Sequence, residues 1–244
     1  MRYLIIADIH GCLDEMQLLL QEARFDREKD TLILAGDLMD RGPKNVECFL
    51  FIRDLKEELG ERFVYVLGNH DQMLMDAEGP GFRIRGAKRE LWYFNGGDLT
   101  AEAFRKAEIP IREAAVWLKE NTVLYYEGEG FQVVHADLVN DCALSEVPAF
   151  TLIWGRTIAD RNQYHGPFTI LGHTPMRDLF YFQGDGKMVV KVPEKKVFHL
   201  PETGALIIDT GGVYGGNFSA AAVEDGFLEL FSVPGRNPAE KEEL

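Results

Sequence analysis

Six short apolar runs, each ending at small or acidic residues or at a histidine, constrain this chain more than any other feature. They are RYLIIADIHG from residue 2, TLILAGDLMDRG from 31, FVYVLGNHD from 63, FQVVHAD from 131, FTILGHTP from 168 and ALIIDTGG from 205. Runs of β-branched and aliphatic residues bounded by Gly or Asp read as strands buried on both faces. Between the first three, Leu13, Met16, Leu19 and Leu20, then Val46, Phe49, Leu50 and Ile52, recur at helical spacing. This alternation predicts a parallel α/β layer. Residues 84–120 read as consecutive helices interrupted at Gly96 and Gly97, a helical insertion on the core. From 131 onward strands dominate, with hairpins expected around Gly184 to Gly186 and at Asp225-Gly226, so a β-rich sheet is expected to pack on the first. The expectation is one catalytic domain over 1–233 and a charged, frayed tail over 234–244.

The polar residues at the ends of these runs are Asp8, His10, Asp37, Asp40, Asn69, His70, His135, Asp137 and His173; only His165 and His199, of six histidines, fall elsewhere. Carboxyl ends of strands in open α/β sheets are where ligand sites are built, so these positions are expected to converge. Oxygen and nitrogen donors without thiolates suit Mn²⁺, Fe or Zn²⁺. A carboxylate shared between two such ions holds them about 3.5–4 Å apart, the separation that clamps a phosphoryl group. Each motif alone has an ordinary reading. D-x-H-G is a common turn or N-cap, and Asp40 and Arg41 read alone as a surface ion pair. A single buried histidine is most simply a satisfied core residue. The ordered set, each member after its own apolar run, is what argues for a binuclear hydrolytic site.

Composition removes other classes. A formal net charge of -14 repels a nucleic-acid backbone and an anionic membrane surface, and no apolar run is long enough to span a bilayer. Cys12, Cys48 and Cys142 form no C-x-x-C pair, which argues against a disulfide framework or thiolate zinc and fits a reducing cytoplasm. None of them begins a C-x5-R loop, so cysteine-dependent phosphatase chemistry is excluded, and there is no G-x4-G-K-[ST] loop.

DIHG, GDLMDRG, GNHD, VVHAD and LGHTP together resemble the five ordered motifs of the phosphoprotein phosphatase branch of the calcineurin-like metallophosphoesterases. NVEC at 45–48, NHDQM at 69–73, FNGG at 94–97 and LIWGR at 152–156 are similar to segments of the lambda-type bacteriophage and bacterial protein phosphatases within it. The resemblance implies a central β-sandwich flanked by helices (α/β/β/α). It also implies two divalent ions, Mn²⁺ first among them: Asp8 and His10 on one, Asp37 bridging, and Asn69, His135 and His173 on the other. His70 is implied to be a non-ligand close to the phosphate, with Asp40 as its carboxylate partner.

The chemistry expected of such residues is in-line attack at phosphorus by a hydroxide bridging the two ions. His70, paired with Asp40, suits protonation of the leaving alkoxide. Arg41 and Arg156 suit bidentate grip on the phosphate oxygens. The leading expectation is a serine/threonine protein phosphatase, with phosphotyrosine and small phosphomonoesters as further candidates. The rival is a symmetrical dinucleoside tetraphosphate hydrolase, whose pattern has ARG where this chain has DRG, and GHW where it has GHT. Leu67 and Asp71 also depart from the lambda-type pattern, which has Arg and Glu there, and Asp71 has no assigned role. A third reading, of another class, is a catalytically inactive metal-stabilised regulatory protein.

Overall fold

The computed structural model describes residues 1–79, 85–184, 189–191 and 196–235. The first half alternates as its periodicity predicts: β1 (Arg2–Ile6), α1 (Leu13–Glu22), β2 (Thr31–Leu34), α2 (Asn45–Leu59) and β3 (Phe63–Tyr65). A helical stretch follows, with α3 (Asn69–Glu78), α4 (Arg85–Trp92), α5 (Asp98–Lys106) and α6 (Ile111–Asn121). The second half contains β4 (Tyr125–Gly128), β5 (Phe131–Val134), α7 (Ala149–Trp154), α8 (Thr157–Arg161) and β6 (Thr169–Leu171). It continues through β7 (Phe180–Phe182), β8 (Val189–Lys191), β9 (Val197–His199), β10 (Ala205–Ile207), β11 (Asn217–Glu224) and β12 (Phe227–Pro234).

Among the described residues the strands form two six-stranded sheets, ordered β3-β2-β1-β11-β12-β9 and β4-β5-β6-β10-β7-β8. The segment β1-β2-β3 is parallel and so is β5-β6-β10, while the outer strands pair antiparallel. The sheets stack face to face. Ile5, Ile33, Val133, Ile170, Leu206 and Leu230 fill the space between them. Leu4, Ile6, Leu32 and Leu34 point from the other face of the first sheet onto the helices. Val134, Leu171 and Ile207 point from the second sheet toward α7 and α8. Strands apolar on both faces therefore carry no polar alternation, as the continuous runs required. The architecture is the expected helix, sheet, sheet, helix sandwich.

Three features refine the expectation. The helices beyond residue 84, which itself lies outside the described residues, are not appended to the core: Trp92, Phe104, Ala114, Ala115 and Leu118 are buried in the same cluster as Leu4 and Met16. The break expected at Gly96 is present, with Gly96 at φ 98 inside a π-turn over Tyr93–Gly97. The stretch 176–204 supplies an edge to both sheets, β8 to one and β9 to the other. The hairpin at Asp225-Gly226 forms as expected, with φ 49 and φ 79, the left-handed pair of a two-residue type I′ turn. β7 and β8 pair antiparallel as well, although residues 185–188 of that turn lie outside the described residues, as do 192–195 and residues 236–244 of the expected tail. The three cysteines form no disulfide. No helix among the described residues is long and apolar enough to cross a membrane.

Candidate functional site

The parallel ladders continue past the strand ends and carry the polar residues with them. Asp8 N–H donates to Gly36 O at 3.2 Å, His10 N–H to Asp37 O at 2.9 Å, and Gly172 N–H to His135 O at 2.9 Å. At those ends the chain turns sharply. Asp8, His10, Asp37, Asp40, Arg41 and His173 all have positive φ, between 47° and 75°, six of the eleven non-glycine residues in that region among the described residues. Such conformations are costly and persist only where surrounding structure holds them. The close approach also requires glycine: a Cβ at Gly68 would collide with the Asp37 carboxylate, and one at Gly172 with that of Asp8.

Two groups of side chains that could hold a metal ion result, His10, Asp37 and His70 in one and Asp37, His135 and His173 in the other, with all donor atoms of a group within 4.8 Å of one another. Asp37 belongs to both. His10 Nδ1–H donates to Met39 O at 2.9 Å, which leaves Nε2 with its lone pair; Arg41 Nη1–H donates to that lone pair at 2.6 Å. His135 Nδ1–H donates to Ala35 O at 2.7 Å, and its Nε2 lies 3.0 Å from Asn69 Oδ1 and 3.5 Å from Asp37 Oδ2. His173 Nδ1 reaches the same Asn69 oxygen at 2.9 Å, while its backbone N–H donates to Asp8 Oδ2 at 2.9 Å. Helix α3 starts at Asn69, and His70 N–H donates to Asp37 Oδ1 at 2.9 Å, so the positive end of that helix faces the shared carboxylate.

The sequence profile of the calcineurin-like phosphoesterases matches residues 1–198. The chain belongs to the calcineurin-like phosphoesterase family. A serine/threonine-protein phosphatase 1 of Salmonella typhimurium is 29% identical over 231 residues, covering 90% of this chain and 91% of that protein. A symmetrical bis(5'-nucleosyl)-tetraphosphatase of Vibrio vulnificus is 40% identical over 134 residues, which is 55% of this chain and less than half, 44%, of that protein. A tetraphosphatase of Vibrio campbellii is 29% identical over 277 residues, covering 91% of this chain and 95% of that protein. Among solved structures, a candidate diadenosine tetraphosphatase has a TM-score of 0.68 at 22% identity, covering 97% of this chain and 94% of its own. A metallophosphoesterase from Sphaerobacter thermophilus has 0.63 at 19%, covering 97% and 90%. These two are likenesses of fold.

The electrostatics of this calcineurin-like phosphoesterase fit a cation pair. Burial and then Asp209 raise the Asp8 carboxyl well above the ordinary range. Burial lifts Asp209 itself to about 6. Burial opposes charge on His135, yet Asp37 and Asp8 outweigh it and push its pKa up to about 10, so in the metal-free chain this imidazolium supplies positive charge that divalent ions would otherwise bring. His10 is held well below its ordinary value by burial and by His70, and burial and His135 push His173 down to about 3. Both therefore stay neutral, as ligands must. Removing bound metal with a chelator is expected to lower the melting temperature by about 5–10 °C, the effect of losing a ligand held at about 100 times its Kd in a protein of this size. Differential scanning fluorimetry with and without Mn²⁺ checks it.

The remaining expected site residues divide clearly. Asp40 is buried; Trp92 Nε1–H reaches its oxygens at 3.0 and 2.8 Å, Thr100 Oγ1–H donates at 2.6 Å, and its Oδ2 lies 2.7 Å from His70 Nδ1. Arg41 reaches His10 and lies over the Tyr214 ring at 5.4 Å. Arg156 is exposed beside the cluster, with Nη1–H donating to Thr174 Oγ1 at 3.1 Å. Asp137 does not join the convergent set: its carboxylate accepts from Thr157 N–H and Ile158 N–H at 2.6 and 3.2 Å, capping α8 immediately after Arg156. His165 and His199 lie apart, near Asp141 and on Phe227. Asp209 is an addition; it ends the last apolar run, with the same signal as Asp8 but no adjacent histidine.

Asp71 has a clear structural role. Its carboxylate accepts from Asp37 N–H and Gly68 N–H, each at 3.0 Å, from Tyr65 O–H at 2.8 Å and from Leu38 N–H at 3.4 Å, tying the loops after β2 and β3 together. Gly68 precedes α3 and Asp71 is its third residue, so the bond to Gly68 is half of a capping box, a local signal legible in G-N-H-D. Asp71→Asn sets an amide N–H₂ against buried donors. The expected loss is about 2–4 kcal/mol of unfolding free energy, measured by urea denaturation of the metal-free protein.

Proposed function

We propose that this family member is a metal-dependent phosphomonoesterase acting on phosphoserine and phosphothreonine in proteins. In this reading Asp8, His10, Asp37, Asn69, His135 and His173 hold two divalent ions, Mn²⁺ being the first candidate. Such ions would polarise the phosphoryl group and lower the pKa of a water enough to make it a nucleophile near neutral pH. The chain itself supplies the proton and the grip. His70, its Nδ1–H held by Asp40 at 2.7 Å, would deliver a proton from Nε2 to the leaving oxygen. Arg41 and Arg156 would take the phosphoryl oxygens through paired N–H donors.

The observation that carries the reading is the investment in Asp40. Two donors, 52 and 60 residues away, hold it beside His70. A serine alkoxide is a strong base and needs an acid to leave; a nucleotide phosphate leaves as a stabilised anion and needs none. The similarity to the full-length Salmonella protein phosphatase agrees with this. A second reading, symmetrical hydrolysis of dinucleoside tetraphosphates, is favoured by the 40% identity over 134 residues to the Vibrio vulnificus enzyme.

A panel on the Mn²⁺-loaded protein decides between them. Phosphoserine and phosphothreonine peptides should be cleaved with kcat/KM at least about 10-fold above diadenosine tetraphosphate, a difference of 1.4 kcal/mol in transition-state stabilisation. A preference for the dinucleotide contradicts the proposal, and no turnover of either, or of para-nitrophenyl phosphate, supports a binding protein.

A further inference from the structure

The most exposed aromatic side chains among the described residues are Phe94 at 90%, Phe150 at 73% and Tyr214 at 58%. Phe150 is the one with a continuous ring path into the histidine cluster. It lies one helical turn before Trp154 on α7, and the two rings stack at 6.4 Å between centroids with 15° between planes. Trp154 in turn stands edge-on to His173 at 6.4 Å and 79°. Arg156 follows two residues later and donates to Thr174, the neighbour of His173. An open aromatic face therefore sits on α7, six residues before the arginine assigned to phosphate in the turn that leads into α8. Leaving a phenylalanine face in water costs free energy that burial would recover, and a ring already stacked on a second ring offers its open face to another planar group in the offset or edge geometry aromatic pairs prefer.

We propose that Phe150, backed by Trp154, is a specificity-determining platform that stacks an aromatic side chain of the phosphopeptide close to the phosphorylated residue. The inference rests on the protein-phosphatase reading above and adds a sequence preference to it. Phe150 touches no group of the phosphoryl-transfer machinery directly, so its contribution is to substrate binding and is carried mainly by KM.

The test uses the Mn²⁺-loaded full chain and a phosphoserine peptide set in which one phenylalanine is moved through the three positions on either side of the phosphoserine, all other variable positions being alanine. One position is expected to raise kcat/KM roughly 2- to 10-fold over the all-alanine peptide, the span of an aromatic pair. In Phe150→Ala that ratio falls to within the scatter of one, while Phe150→Tyr keeps it and Phe227→Ala, at a remote exposed aromatic, keeps it too. Melting temperatures of the variants show that folding is unchanged. Cleavage of all peptides at one rate by the unmodified protein, or a preference that survives in Phe150→Ala, overturns the platform and leaves the protein-phosphatase reading intact. Failure to cleave any peptide, with diadenosine tetraphosphate hydrolysed, overturns both.

Discussion

Asp37→Asn is expected to lower kcat/KM on any phosphomonoester by at least about 10³-fold, the scale on which a metal clamp stabilises phosphoryl transfer. Asp37 is the one residue common to both groups that could hold a cation. Its Oδ1 accepts from His70 N–H, and its Oδ2 lies 3.5 Å from His135 and 3.7 Å from His10. An asparagine keeps the shape but offers one oxygen and an N–H₂ group. The oxygen can satisfy His70 or face the cluster, not both positions. Despite burial, His135 and then His70 hold the Asp37 carboxyl well below the ordinary range. Elemental analysis of the purified variant should find metal content reduced alongside activity.

His70→Asn is expected to lower kcat on a phosphoserine peptide by about 10²–10⁴-fold, the usual range for a positioned general acid. Metal content should be unchanged, which separates the acid role from a ligand role; the separation matters because His70 also lies within ligand range of His10 and Asp37. The deficit should shrink on para-nitrophenyl phosphate, whose phenolate leaves without help. Equal loss on both substrates, or loss of metal, contradicts the acid assignment. Asp40→Asn should reproduce part of the defect, because the amide is a weaker acceptor for His70 Nδ1–H and does not stabilise the imidazolium.

Much of this organisation is legible in the sequence. Strands buried on both faces need uninterrupted apolar runs, so β1, β2, β3, β5, β6 and β10 announced themselves. Asp225-Gly226 did so through turn chemistry. His10, Asp37, Asn69, His70, His135 and His173 lie together, as the strand-end rule expects, because parallel ladders carry their ends to one edge. The same rule misread Asp137, where helix capping competes for the carboxylate. It passed over Asp209, which ends the run ALIIDTGG with no histidine beside it. Trp92 and Thr100 were invisible because no local spacing links them to Asp40. The burial of α4 to α6 in the main core, and the departure of β9 to the other sheet, depend on packing between distant segments and have no periodicity to betray them.

Two cations sharing Asp37 underlie every role proposed for this site. Calorimetric titration of the chelator-stripped protein with Mn²⁺, with phosphate release followed in parallel, is expected to show two equivalents bound and activity rising with occupancy of the second. A single equivalent at full activity, or undiminished turnover in excess chelator, would contradict this arrangement.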